Sequence, residues 1–521
     1  MVLGRTLVRH YFASPGLEHD GMGRATQEAG STSAEGSASE ESVSPRSILI
    51  FAIVSLALLM SSIDSTIVAV ALPNMMKGLN TNLIWISWVI TGYSLTQTVM
   101  MPMAGKLSDD FGRKRLFLGC VVLFTASSLL CAIAPTVQLL ILFRVLQAVG
   151  GGAFLPSAAG IVSDVFSPRH RGTAIGLFTS VFPLGGIIGP NVGGWMIDNF
   201  GWRSIFSVNV PIGVVLFATG IVFLPAGGRI TGRRSIDLIG AGAFATGVVA
   251  LMYGMSVWGT NVSFEWQVAA WMVAGIVALV LFVRHEARTK DPMIDLRLLK
   301  QRAFVAANLY NFLYGGLVFG FFSFIPLYAT LEYGMTASQA GFILTPRAIA
   351  MISLSAISSF LLIRFGYRIP MILGITLISI GLFVTGRGIH DPTIFGYHVS
   401  NLVFLSITIA ITGLGVGIGG PAANNAALDL MPDAVARITG LRGMFRSSGG
   451  VLGTAAIVLA LAHFDDQGRG LEVIFTALSF LILLIIPVVF LIPDTARNRR
   501  KAHGRAESQA GQVQVQMATD D

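Results

Sequence analysis

The chain has 521 residues, of which 53% are hydrophobic and 12% charged, with a net charge of +8. Soluble domains carry about 25% charged residues, so half that fraction over so long a chain excludes a water-facing surface and predicts an integral membrane protein. Gly 59, Phe 34 and Pro 20 suit helices packed in lipid, where small residues let backbones approach, whereas a β-barrel would alternate polar and apolar residues along its strands.

Residues 1–45, rich in Ser, Gly and Glu from Ser31 to Ser44, cannot bury a core and are expected to form a disordered cytoplasmic tail. No apolar signal region precedes the first span, and Met22 is an alternative start to Met1. A span needs about 20 apolar residues, and such segments fall at 48–72, 83–104, 116–134, 138–163, 172–194 and 204–224, then at 237–258 and 266–284. Six more follow at 303–329, 338–361, 369–387, 401–428, 438–463 and 472–493. The fold class is therefore an all-α polytopic membrane protein of about fourteen transmembrane helices. Its expected units are a six-helix bundle over 46–225, two inserted helices and a cytoplasmic linker over 226–302, a second six-helix bundle over 303–494, and a polar cytoplasmic tail over 495–521. With both termini inside, about 28 of the 35 Lys and Arg fall on cytoplasmic segments and only Lys77, Arg203, Arg387 and Arg469 outside. The basic balance is then topology rather than a nucleic-acid surface, since no interleaving of aromatic and basic residues supports that partner.

A weak internal repeat joins the two bundles. Pro156 stands eight residues before Asp164 behind Gly150, Gly151 and Gly152, while Pro421 stands eight before Asp429 behind Gly415, Gly417, Gly419 and Gly420. Phe111-Gly112-Arg113 after the second span is matched by Phe365-Gly366 with Arg368 after the tenth. Repeated halves are a common build of secondary transporters, which rock about a central site.

The segment from Gly105 to Arg115 reads as a cytoplasmic gate. Gly105 and Gly112 would supply a tight turn, Asp109 suits a helix N-terminus, and Arg113 can pair with Asp164 at the end of a neighbouring span. This segment resembles the signature between spans two and three of the major facilitator superfamily. Asp64-Ser65-Thr66-Ile67-Val68 through Pro73, Trp202 to Phe206 with Asn209-Val210-Pro211-Ile212-Gly213, and Pro292 to Leu296 before Arg302-Ala303-Phe304 are similar to patterns of its fourteen-span drug:proton antiporters of the EmrB/QacA type. Gly185, Gly189 and Gly193, with Pro190, fall every four residues along one face of the fifth span. That face resembles the superfamily's antiporter signature, which implies export by exchange; ordinary close packing would also produce it.

Intramembrane charges are expensive and mark function by default. Asp64 is the carboxylate placed deep in a span, with Ser61 and Ser65 beside it, and this polar face is expected to look into the cavity. Arg144 and Gln147 share a face of the fourth span. Asp64 lies about 12 Å and Arg144 about 9 Å from their outer span ends, which permits an ion pair serving proton coupling, or structural pairing alone. Arg347 and Arg446 are also deep, so the deep charges sum to about +2 and favour neutral or anionic amphiphiles over permanent cations. Tyr310 and Tyr314 of an aromatic-rich ninth span, Asn424 and Asn425 of the twelfth, Gln147, Arg347 and Arg446 are the candidate cavity residues.

These features imply a proton-coupled multidrug or amphiphile exporter working by alternating access, in the cell (inner) membrane with both termini cytoplasmic. The alternatives are a dedicated exporter of a metabolite, siderophore or lipid, and, less favoured, an importer or a transporter-derived sensor. The expected partners are a small amphiphilic substrate, protons and the lipid bilayer, with a periplasmic adaptor if the host is Gram-negative and a monomeric state. An enzyme is disfavoured because His10, His19, His170, His285, His390, His398, His463 and His503 all fall in tails, loops or span ends, away from a shared site. No phosphate-binding Gly-Lys-Ser/Thr loop is present, so ATP is not the expected fuel. No cofactor or metal is expected. Cys120 and Cys131 lie about 16 Å apart on one helix, too far to bridge.

Overall fold

The structure is a computed structural model that describes residues 44–225, 237–261, 265–289, 301–394, 396–428 and 435–494. The expected tails, save residues 44 and 45, and the stretches 226–236 and 290–300 lie outside the described residues. Helices dominate because lipid offers no partner for backbone N–H and C=O groups, which helices satisfy internally. The first bundle comprises α1 (Pro45–Gly78), α2 (Leu83–Phe111), α3 (Arg113–Ile133), α4 (Val137–Val165), α5 (Pro168–Phe200) and α6 (Ser204–Phe223). Then come α7 (Leu238–Asn261) and α8 (Trp266–Glu286). The second bundle comprises α9 (Arg302–Tyr333), α10 (Ala337–Phe342 continued by Leu344–Phe365), α11 (Arg368–Thr385), α12 (Asn401–Leu428), α13 (Val435–Leu461) and α14 (Gln467–Leu491). Among the described residues, 13 helices are long and apolar enough to cross a membrane. The remaining one, α2, has 29 residues, about 43 Å of helix, and its apolar run is diluted by Ser87, Thr91, Ser94, Gln97 and Thr98.

Helix starts follow ordinary capping chemistry. Asn82 accepts from the Trp85 N–H at 3.0 Å, and Asp466 accepts from the Gly468 N–H at 2.9 Å. Two turns depart from the α form: Gly315–Phe319 within α9 is π-helical and Ile482–Ile485 within α14 is a 3-10 turn. A two-residue hairpin, Thr393–Ile394 with Tyr397–His398, decorates the α11–α12 connection, with Thr393 opposite His398.

The repeat is visible in packing. Gly150 and Gly152 of α4 bring that helix against the backbones of α3 and α2, at Cys120 and Gln97. Gly415 and Gly417 of α12 do the same against α11 and α10, at Gly374 and Met351. Gly112 and Gly366 both adopt positive φ, +86° and +72°, at corresponding corners, a conformation that glycine reaches without steric penalty.

Two loop faces result, one carrying Gly112 and Gly366 and the opposite one carrying Gly201 and Gly334. Towards the Gly112 face the first bundle has its own core, built from Ile50, Phe117, Phe124, Phe154 and Phe178. Towards the Gly201 face its core residues, among them Ile67, Trp202 and Phe206, merge with Phe321, Tyr328 and Phe475 of the second bundle. The bundles are thus packed together at the Gly201 end. The pair α7–α8 packs through Gly247 and Gly275, and Asp237 Oδ1 ties it at one end, accepting from the Gly240 N–H at 2.7 Å and lying 2.8 Å from His285 Nε2. α7 lies across the junction of the bundles, with Gly259 against Ile84 of α2 and Ala462 beyond α13. The apolar run of α8 is 17% buried against 67% for α9, so α8 is peripheral and lipid-facing and α9 is central.

Candidate functional site

Asp64 sits midway along α1 and is 1% exposed. Its Oδ2 lies 2.5 Å from Arg144 Nη1 of α4, while Oδ1 accepts from Gln147 Nε2 at 2.9 Å and from Asn209 Nδ2 of α6 at 3.0 Å. Arg144 Nη1 also donates to Gln147 Oε1 at 2.6 Å, its Nε donates to the Val89 carbonyl of α2 at 3.3 Å, and its guanidinium carbon stands 3.9 Å from the Tyr93 ring centroid. Gln147 further donates to Ser128 Oγ of α3 at 2.7 Å. Arg144 and Gln147, three residues apart, project from one face of α4, so a single helix face presents both to the carboxylate. Every bond to Asp64 comes from an N–H donor, an arrangement that fits the ionised carboxylate.

Two cavity expectations are corrected by this geometry. The polar face of α1 does not look into an open cavity: Asp64 is enclosed within the first bundle by α2, α3, α4 and α6. Gln147 is wholly buried in the same network rather than lining a cavity wall, because its carboxamide both donates to Asp64 and accepts from Arg144. Asn209, Ser128 and Tyr93 join the site beyond the residues expected there. The signal was present in Asn209, an amide at the head of an otherwise apolar span.

At the Gly112 face, Arg113 Nη1 pairs with Asp164 Oδ1 at 2.5 Å and donates to the Gly160 carbonyl, so α3 is tied to the end of α4. Gly112 makes the turn. Gly105, expected in that turn, is instead inside α2, which continues with unbroken helical bonding to Phe111. Asp109, expected at a helix N-terminus, is instead on the last turn of α2, and its side chain lies outside what is described. Asp429 is outside the described residues.

The glycine face of α5 packs on α1. A Cβ at Gly185, Gly189 or Gly193 would collide with Ser62, Thr66 or Ile67 respectively, and Thr66 Oγ1 donates to the Gly185 carbonyl at 3.1 Å. The adjoining face of the same helix meets the second bundle, with Pro190 backing onto Gly341 and Gly194 onto Ala337 of α10. Asn191 Nδ2 donates to Thr345 Oγ1 at 2.5 Å. Asp198, near the end of α5, accepts from the N–H groups of Ala337 and Ser338 at 3.2 and 2.8 Å and from the Ser338 hydroxyl at 2.5 Å.

In the second bundle, Tyr310 and Tyr314 are buried and stacked at 5.6 Å between ring centroids. Most aromatics of α9 point inward, Phe321, Phe322 and Phe324 included. Arg347 is half-buried and Arg446 is exposed although mid-helix. Asn424 and Asn425 are half-buried, and the Asn424 carboxamide oxygen has no hydrogen-bond partner among the described residues. Among the described residues no cluster of His, Cys, Asp and Glu is arranged to hold a metal ion, and both cysteines are buried and free.

Two six-helix bundles joined at one end, the first enclosing a buried ion pair, are the build of secondary membrane transporters. The family model described as Major Facilitator Superfamily matches residues 54–235 and 307–516. The chain belongs to the major facilitator superfamily. It is 32% identical to the "Multidrug transporter protein MdtP" of Bacillus subtilis (strain 168) over 79% of this chain and 74% of the relative. It is 33% identical to "Multidrug resistance protein 3" of the same organism over 76% of each chain. A solved structure of a peptide transporter POT in complex with sulfate superimposes with a TM-score of 0.61 at 17% identity, covering 85% of this chain and 95% of that one, a likeness of fold.

Proposed function

We propose that this transporter exports amphiphilic small molecules in exchange for protons, as a fourteen-span drug:proton antiporter with the Gly112 face and both termini in the cytoplasm. The observation that carries this reading is the enclosed Asp64–Arg144 pair with its two amide donors. The names of the relatives support drugs as cargo.

The pair couples protonation to shape by elementary electrostatics. An ion pair out of water is tolerable when both charges are hydrogen-bonded, but removing one charge strands the other. A proton reaching Asp64 removes the negative charge and leaves Arg144 buried without a counter-charge. The bundle relieves that state by moving Arg144 towards water or a new partner, which is the rocking step of alternating access. When Asp64 releases its proton to the cytoplasm, the network of Arg144, Gln147 and Asn209 closes again. Substrate and proton then exchange because each favours a different arrangement of the same bundle.

Proteoliposomes with an imposed pH gradient test this with N-phenylnaphthylamine as transported probe and an entrapped pH dye. Wild-type protein is expected to move probe and protons in opposite directions, and Asp64→Asn to move neither. The double variant Asp64→Asn with Arg144→Gln, which strands no charge, controls for folding and is expected to be equally inactive. Gradient-driven export by either variant at the wild-type rate overturns the assignment.

A further inference from the structure

The proton step uses Asp64 and Arg144 and leaves two deep arginines without a role. The guanidinium of Arg347 on α10 lies over the Phe322 ring at 3.5 Å, and that of Arg446 on α13 lies over Phe319 at 5.1 Å. Tyr314 stands within electrostatic reach of both; it is 7% exposed, and its hydroxyl has no hydrogen-bond partner among the described residues. The Nε of Arg347 is buried and unpartnered as well. Among the described residues neither arginine forms an ion pair, and the deep carboxylate of Asp64 is already claimed by Arg144. The π-helical turn Gly315–Phe319 falls at this point, with Gly315 seated on the Arg446 backbone carbonyl, so the irregularity carries Phe319 towards Arg446. Such turns concentrate at functional sites.

Stacking occupies the flat face of a guanidinium and leaves its N–H groups free in the plane. Those edges match a carboxylate or sulfonate, which takes two parallel charge-assisted bonds. Two uncompensated cations at this depth are costly in lipid, and a ligand bearing one negative charge reduces that cost where a cationic one raises it. We propose that Arg347, Arg446 and Tyr314 form a binding site for the carboxylate or sulfonate of an aromatic amphiphile, whose ring system lies against the exposed Phe319. This deepens the export reading and rests on it for direction of movement, while the binding site itself does not.

Anilinonaphthalene sulfonate and N-phenylnaphthylamine share one ring system and differ by the anionic group, and tetraphenylphosphonium supplies a lipophilic cation. In proteoliposomes the wild type is expected to export the sulfonate in preference to the phosphonium. Arg347→Gln and Arg446→Gln are each expected to slow sulfonate export on the order of tenfold to a hundredfold, the value of one or two charge-assisted bonds. Export of N-phenylnaphthylamine by the same variants is expected to fall less than that of the sulfonate, and melting temperatures at or above that of the wild type show the variants folded. Sulfonate export unchanged in both variants, or a wild-type preference for the phosphonium, overturns the proposal while leaving transport standing. Calorimetric binding of anilinonaphthalene sulfonate to purified wild type and variants decides the case if no probe is moved. Loss of affinity in the variants then supports the site though the export reading has failed, and equal affinity refutes it.

Discussion

Burying Asp64 and Arg144 together is favourable only because nearly every polar atom of the cluster is matched. Asp64 receives Arg144, Gln147 and Asn209, and the Arg144 guanidinium also has the Val89 carbonyl and the Tyr93 face. Breaking such a pair from one side costs about 3–5 kcal/mol, whereas replacing both charges by neutral groups of similar volume is often near neutral. Arg144→Gln is therefore expected to lower the melting temperature of the detergent-solubilised protein, and adding Asp64→Asn to restore much of the loss. Differential scanning fluorimetry of the two singles and the double measures this. A double variant that melts at or below both singles would show that the two charges do not act as one unit.

At the scale of the element, the start of α10 is held by a residue of the other bundle. Its first turn exposes unpaired N–H groups and a positive dipole end; Thr336 satisfies Gln339, while Asp198 of α5 takes Ala337 and Ser338. A carboxylate at an exposed helix N-terminus contributes about 1 kcal/mol, which shifts a two-state population about fivefold. Asp198→Ala is expected to raise the thiol-labelling rate of a Thr345→Cys reporter about fivefold, since that position is covered by Asn191 while the bundles touch. An unchanged rate would mean that the cap does not hold this end closed. Which helix covers which was the least legible part of the sequence. In lipid both faces of a helix are apolar, so α9 gave no pattern telling that Phe321, Phe322 and Phe324 point inward. Gly105 misled for a related reason: glycine marks turns in water, yet lipid-embedded helices such as α2 accommodate it. The deep polar residues were legible, because Asp64 and Arg144 stand out against an apolar background and their depth follows from helix rise alone. Their amide partners were harder to read, since the contact between Asn209 and Asp64 spans 145 positions in sequence.

At the scale of the molecule, the proposed exchange mechanism makes the shared core the end that has to open. The first bundle joins the core of the second in one apolar cluster towards the Gly201 face and keeps a separate cluster of its own towards the Gly112 face, and the hydrogen bonds of Asp198 and Asn191 join the bundles at the former. Passing to the opposite state requires these contacts to part while the glycine-packed pairs within each bundle stay intact, since close-packed interiors shift between discrete arrangements rather than deform smoothly. α5 is suited to this motion because one face is fixed on α1 through Gly185, Gly189 and Gly193 while its neighbouring face meets α10 through Pro190 and Gly194. A covalent link between α5 and α10 is therefore expected to arrest transport without unfolding either bundle. In a background lacking Cys120 and Cys131, the pair Asn191→Cys and Thr345→Cys, bridged by a short bifunctional thiosulfonate, is expected to lose proton-driven probe export and to regain it on reduction. Each single cysteine treated alike is expected to retain export. Full activity of the bridged protein would show that export proceeds with this end closed, and the rocking of the two bundles would have to be abandoned.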